Sequence, residues 1–513
     1  MATIAKKKRG TKARRHGGTK AAGAAASRRD GAGINLDALF SHIDRDFDNA
    51  VERLKSFLRI PSVSTDPKYK NDVKRAAEHV AADLRSIGFV TTVHETPGHP
   101  MVVGRHEGGA TARRDAGRPQ FGAGHPRLLY YGHYDVQPPE PLELWKSPPF
   151  EPTIEKSPHG KKITARGAVD DKGQVMLFIE AFRAWKKIHG ELPADITILL
   201  EGEEESGSKS LDPFLKEHKQ ELQADVCIVS DTGMWDIDTP AVTTRLRGLV
   251  YVEVTLHGPS HDLHSGMYGG AVANPCNDLC RILAELKDKD GRIQVPGFYD
   301  DVEELTPAQK MEWKNLGFDE KEFLGSAGLK TPRGEKGRST LERTWSRPTC
   351  DINGIYGGYI GAGAKTVIAS RCTAKVSFRL VPVQDPKKIF AGLKKFLEAR
   401  TPPDCRWEVE THGLSPAIRV KADSPWVAAA KRGLAQVFKK EAVLIGTGGS
   451  IPLVGSIQRI LGFDALLVGF GLDDDRVHSP NEKFELTCFR NGIKSHAAML
   501  AEFAGMQRSA SNR

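Results

Sequence analysis

The sequence has no run of 18 apolar residues, so no segment is suited to cross a bilayer as a helix. No apolar stretch follows the first basic residues, Lys6–Arg9, which argues against a secretory signal peptide. Cysteine is sparse: seven in 513 residues, an odd number without the paired spacing of a zinc finger or ribbon. A disulfide-built scaffold is therefore excluded, and reduced thiols of a cytoplasmic protein are expected. No internal repeat is present. The chain is long enough for two or three domains, each with its own core.

The net charge of +9 is local. Residues 1–30 hold ten Lys/Arg against one acid, Asp30; taking these from the totals of 74 and 65 leaves 64 basic and 64 acidic residues. The body is neutral overall and has no global electrostatic reason to bind nucleic acid. The first 33 residues read as a disordered basic tail. That tail could touch nucleic acid or another anionic surface, serve as a transit peptide, or be a solvated extension.

What the body has is alternation. Leu36, Leu39, Phe40, Ile43 and Phe47 recur at helical spacing within a helix expected over Leu36–Leu58, and a second is expected over Val73–Ile87. Apolar runs at Leu128–Tyr131, Ile196–Leu200, Val226–Val229 and Leu466–Phe470 alternate with helical stretches such as Gln174–Lys187, the mark of an α/β domain with a largely parallel buried sheet. The middle differs. Val250, Val252, Val254 and Leu256 alternate with polar residues, as do Val376, Phe378 and Leu380, so one face of that sheet is wet. With helices at Ala271–Leu286 and Pro386–Ala399 and a strand at Trp407–Thr411, the order is that of a ferredoxin-like α+β domain. It is expected at residues 243–413, inserted into a domain formed by residues 34–242 and 414–513. Residues 302–348, polar with Pro307, Pro332 and Gly334, read as an irregular excursion.

Acids and histidines stand just past apolar runs: His133 and Asp135, Glu201–Glu205, Asp231, and Asp473–Asp475 leading to His478; Asp170–Asp171 open a helix. In open α/β sheets ligands bind beyond the carboxyl ends of strands, so these side chains can converge from distant parts of the chain. Imidazole and carboxylate donors suit zinc, manganese or cobalt. The set exceeds what one tetrahedral ion with an open position needs, and it suffices for two ions if one carboxylate bridges. Taken singly, Asp473–Asp475 read most simply as an exposed acidic loop.

The segments Gly132-His-Tyr-Asp-Val-Gln, Arg166-Gly-Ala-Val-Asp-Asp-Lys-Gly, Glu201-Gly-Glu-Glu-Glu-Ser-Gly-Ser, Leu263-His-Ser-Gly and Val477-His-Ser-Pro-Asn-Glu resemble the dinuclear-zinc metallopeptidase family of dipeptidases, aminoacylases and glutamate carboxypeptidases. Leu263–Gly270, Gly361–Ile368, Phe378-Arg-Leu-Val-Pro and Gly448-Gly-Ser-Ile-Pro are most similar to its cytosolic non-specific dipeptidase and carnosinase branch. The resemblance covers about residues 35–505. It implies a zinc-peptidase-like catalytic domain with an inserted lid and dimerisation domain. It further implies two divalent ions per subunit, zinc first and manganese or cobalt as alternatives.

Carried over residue by residue, the resemblance makes Asp170 the bridging ligand. His133 and Asp231 complete one ion, Glu205 and His478 the other. Asp135 holds the His133 ring, and a cis peptide is implied at Asp170–Asp171. Hydrolysis of short peptides, most simply dipeptides, would proceed by a hydroxide shared between the ions with Glu204 as general base. His264 would stabilise the oxyanion from the partner subunit of a homodimer. Arg379 would receive the substrate carboxylate, and His412, Gly449, Ser450 and Thr366 would line the site. The implied alternatives are an N-acyl-amino-acid deacylase of the same family and, from another class, a nucleic-acid-associated protein acting through its tail; a scaffold without activity is disfavoured because every ligand candidate and Glu204 are present.

Overall fold

The computed structural model describes residues 34–108, 125–449 and 451–506. The basic tail lies outside them. Two sheets dominate. The larger has nine strands, ordered Val90–His94, Met101–His106, Asp195–Glu201, Arg127–His133, Val226–Val229, Ala465–Leu467, Ala241–Leu246 and Ile418–Arg419, with Val443–Gly446 also paired to Ala241–Leu246. Its centre is parallel: Arg127–His133 runs alongside Asp195–Glu201 and Val226–Val229, and Ala465–Leu467 alongside Val226–Val229. These strands are buried on both faces because helices cover both. Leu36–Leu58, Lys172–His189, Pro425–Phe438 and Leu486–Ala504 contribute Leu54, Phe178, Leu434 and Phe503 to one continuous core.

The second sheet has four antiparallel strands, ordered Thr349–Gly357, Arg371–Leu380, Gly248–His257 and Arg406–Ser415. Helices Pro275–Ala284 and Pro386–Glu398 complete the ferredoxin-like βαββαβ order. Burial along Gly248–His257 alternates residue by residue. The inward Val250, Val252 and Val254 meet Leu279, Ile282, Leu393 and Phe396 of the two helices. The sheets join at Arg247 and again at Pro416–Ala417, where the backbones cross so closely that a Cβ on Gly248 would lie 2.5 Å from Ala417 N.

The excursion at 302–348 departs from expectation. It holds three short helices, Pro307–Asn315, Glu320–Ser326 and Thr340–Trp345. Thr306 and Ser339 each close a capping box, with Gln309 and Glu342, which satisfies first-turn N–H groups that a short helix could not otherwise pair. Trp313, Leu341 and Trp345 bury against Ala241 and Ile445 of the large sheet as a small core of their own. Among the described residues no helix is long and apolar enough to cross a membrane.

Candidate metal centre

Three neighbouring parallel strands end together. His133 is in register with Glu201, and two residues earlier Tyr131 is in register with Val229. Chain leaving these strands therefore delivers Glu204, Glu205 and Asp231 beside His133. The fourth contribution comes from the loop after Ala465–Leu467, which carries His478. That loop is held in an uncommon shape, with Arg476, His478 and Asn481 all at positive φ near +60°. The fifth is Asp170, at the start of Lys172–His189, behind a cis Asp170–Asp171 peptide.

The ligand atoms form two groups, His133–Asp170–Asp231 and Asp170–Glu205–His478, each within 4.8 Å. They share Asp170: its Oδ1 lies 3.1 Å from His133 Nε2 and its Oδ2 3.0 Å from His478 Nε2. Glu205 Oε2 is 3.3 Å from His478 Nε2 and accepts from Gln137 Nε2 at 2.6 Å. Asp135 has two tasks. One oxygen faces His133 Nδ1 at 3.4 Å, and the carboxylate accepts the backbone N–H groups of Glu204 at 3.3 Å and Glu205 at 3.0 Å. It thus orients the ring and pins the turn that presents both glutamates.

The electrostatics are those of crowded anions. Burial, reinforced by Glu205, Asp135 and Asp170 and opposed by His133, pushes Glu204 up to about 8. Burial and the neighbouring Asp171 and Asp170 push Asp231 well above the carboxylate range. Burial works the same way on Asp170, but hydrogen bonds from His133 and His478 outweigh it and hold Asp170 low. Those to Asp170 and Glu205 in turn raise His478 to about 10. Glu205 Oε1 and Asp171 Oδ1 are buried without a hydrogen-bond partner among the described residues. Acceptor capacity therefore exceeds the donors the protein supplies, and the imidazole-carboxylate set fits divalent cations in charge and ligand type.

Support beneath the ligands comes from residues to which the sequence reading assigned no role. Glu482 is fully buried. Its Oε2 accepts from Arg166 Nη1 at 2.8 Å and Gly167 N at 3.0 Å, its Oε1 from Val169 N at 2.9 Å and Asp170 N at 3.1 Å. One carboxylate thus fixes the whole loop that ends in Asp170. Its signal was a charged residue four positions beyond His478, and Arg166 stands four before Asp170. Asp475 corrects the expected exposed loop: it is buried, ion-paired to Lys483 at 2.7 Å, and accepts from Leu472 N at 2.7 Å, whereas Asp473 and Asp474 are exposed.

The structure therefore gathers His133, Asp135, Asp170, Glu204, Glu205, Asp231 and His478 at one place. The other described candidates lie on or beside the second sheet. His264 is exposed on the short strand Leu263–His264, which pairs with Val367–Ile368, and Thr366 O accepts from Ser265 N at 3.1 Å. His412 sits at a register shift in Arg406–Ser415, its Nε2 3.5 Å from Glu253. Arg379 is half-buried, paired in register with Leu249 and Thr349. Gly449 O accepts from Arg247 N at 3.0 Å, at the joint between the sheets. Ser450 lies outside the described residues.

Peptidase family M20/M25/M40 matches residues 129–502. The Cys-Gly metallodipeptidase DUG1 of Candida albicans is 31% identical over 482 residues, covering 90% of this chain and 96% of the relative. The Beta-Ala-His dipeptidase of Homo sapiens is 30% identical over 487 residues, covering 91% and 93%. The solved structure of the dipeptidase Dug1p from Saccharomyces cerevisiae superposes with a TM-score of 0.78 at 30% identity, covering 92% of this chain and 99% of that one.

Proposed function

The chain belongs to peptidase family M20/M25/M40, a family of hydrolases, and from that premise we propose that it is a metal-dependent dipeptidase. The observation that carries the reading is the pair of ligand groups sharing Asp170, with Glu204 beside them. His133, Asp170 and Asp231 would hold one divalent ion, and Asp170, Glu205 and His478 a second, with zinc the first choice for both. Bound cations supply Lewis acidity and bring the pKa of water towards neutrality. Glu204 accepts the proton of the attacking water and returns it to the leaving amine, on a turn whose backbone Asp135 holds still. Arg379 receives the substrate carboxylate, for which a guanidinium offers a matching fork of donors. His412, Gly449, Ser450 and Thr366 line the peptide.

The second sheet supports a homodimer in which His264 completes the site across the interface. Its edge strand Thr349–Gly357 and the following loop expose Ile352, Ile355, Tyr356, Tyr359 and, 88% accessible, Ile360. An apolar edge of that kind is normally covered. We read residues 34–242 with 414–513 as the catalytic domain and 243–413 as the inserted lid and dimerisation domain, within a few residues of the joints at Arg247 and Pro416. The seven cysteines are free, which fits the cytoplasm. The nucleic-acid alternative rests on the tail and gains nothing from the relatives described. The test is hydrolysis by zinc-, manganese- or cobalt-loaded protein across dipeptides, tripeptides and acetylated amino acids. Dipeptides should be cleaved fastest; exclusive cleavage of acetylated amino acids would replace this reading with that of a deacylase.

A further inference from the structure

A second donor cluster stands at the far edge of the large sheet. His94 ends the edge strand Val90–His94, His218 follows helix Leu211–Glu217, and Glu221 lies three residues further on. A ring nitrogen of each histidine and a carboxylate oxygen of Glu221 all lie within 4.8 Å of one another. The rings are 4.7 Å apart, and Phe214 packs on both. Glu221 is already oriented: its Oε1 is 3.6 Å from Arg105 Nη1 and its Oε2 2.9 Å from His218 Nδ1. His94 Nε2 is buried and has no hydrogen-bond partner among the described residues, which leaves a ring nitrogen unsatisfied where most buried polar groups are paired.

We propose that His94, His218 and Glu221 bind one divalent cation of the zinc class, a site separate from the Asp170 centre. Two imidazoles and one carboxylate leave a fourth position for water, and the Arg105 contact to Glu221 acts as the outer support such ligands require. The position gives the ion a mechanical task. The helix before His218 begins just after the turn bearing Glu204 and Glu205. Just before that turn, Glu203 accepts from Ser210 N at 2.9 Å and from His99 N at 3.1 Å, His99 being five residues beyond His94. An ion here ties the edge strand to the helix on both flanks of the segment that presents those glutamates.

The test is the zinc content of the full chain after equilibrium dialysis against buffered zinc, comparing the unaltered protein with His218→Ala and with Glu221→Gln. The same comparison is made in a His133→Ala/His478→Ala background. His218→Ala should hold one zinc fewer per chain in either background, and Glu221→Gln should need at least about tenfold more free zinc to fill the site. Zinc should raise the melting temperature of the double-variant background and not of that background carrying His218→Ala. Because the readout is a difference of one ion, it holds whatever the Asp170 centre contains. Zinc content equal to that of the unaltered protein in folded His218→Ala, or an unchanged free-zinc midpoint in folded Glu221→Gln, with folding judged by unchanged circular dichroism, would overturn the proposal; the two variants are read independently, so one failing to fold leaves the other to decide.

Discussion

Replacing Glu482 by Gln keeps the shape of the residue beneath Asp170 and removes its charge. The carboxylate accepts four hydrogen bonds, two on each oxygen. An amide can serve only two of the four donors; its NH2 must face either Val169 and Asp170 or Arg166 and Gly167. Hydrogen bonds to a charged group contribute about 1.5–3 kcal/mol each, and removing one partner of a buried ion pair costs ~3–5 kcal/mol. Arg166 keeps its bond to Pro138 O at 3.2 Å, so the expected loss sits near the lower end, about 3 kcal/mol. Guanidinium unfolding at fixed zinc would read it as a lowered midpoint. Because the loop ends in Asp170, zinc affinity should also fall, by roughly 10–100-fold. Adding Arg166→Met should recover part of the stability by removing the uncompensated cation. A loss below about 1 kcal/mol with unchanged zinc affinity would refute the reasoning that Glu482 organises the loop.

Glu204→Gln should keep its metal and lose turnover by about 10²–10⁴-fold, since it lacks the proton acceptor; near-normal dipeptide hydrolysis would remove Glu204 from that role. His496 is fully buried among Tyr130, Phe178 and Phe470, which lowers its pKa from 6.5 to about 3. The folded state holds it neutral while the unfolded chain takes up a proton, so stability falls as pH drops from about 6.5 towards 3. At pH 5 that is about 2 kcal/mol relative to pH 7. His496→Gln should lose about that much less between pH 7 and 5 in matched unfolding curves, and identical slopes would contradict this. Deleting residues 1–30 should leave kcat/KM for dipeptides unchanged; loss of activity would give the basic tail a part in hydrolysis.

Most of the scaffold was legible because its periods are long and consistent. Leu36–Leu58 is a helix over the residues expected, and Lys172–His189 and Pro386–Glu398 differ from expectation by one or two residues at their ends. The alternation of Val250, Val252 and Val254 correctly marked a sheet with one wet face. What escaped were features decided by contact rather than period. The helices within 302–348 are too short to show a stripe, and they are stable through capping by Thr306, Asp319 and Ser339 and burial of Trp313 and Trp345. Asp475 looked like its exposed neighbours because nothing local reveals that Lys483, eight residues later, folds back onto it. Glu482 was visible as a charge in a motif, but its four partners are brought from more than 300 residues away. The ligand candidates were easier to find, because strand ends in a parallel sheet concentrate chemistry at one edge.

The central claim is that Asp170 is shared by two cations. Crystals grown with zinc and measured on either side of its absorption edge test that directly. The account predicts two anomalous peaks about 3.5–4 Å apart, one against His133 and Asp231, the other against Glu205 and His478, with Asp170 between them. A single peak, or two that do not both touch Asp170, would contradict it.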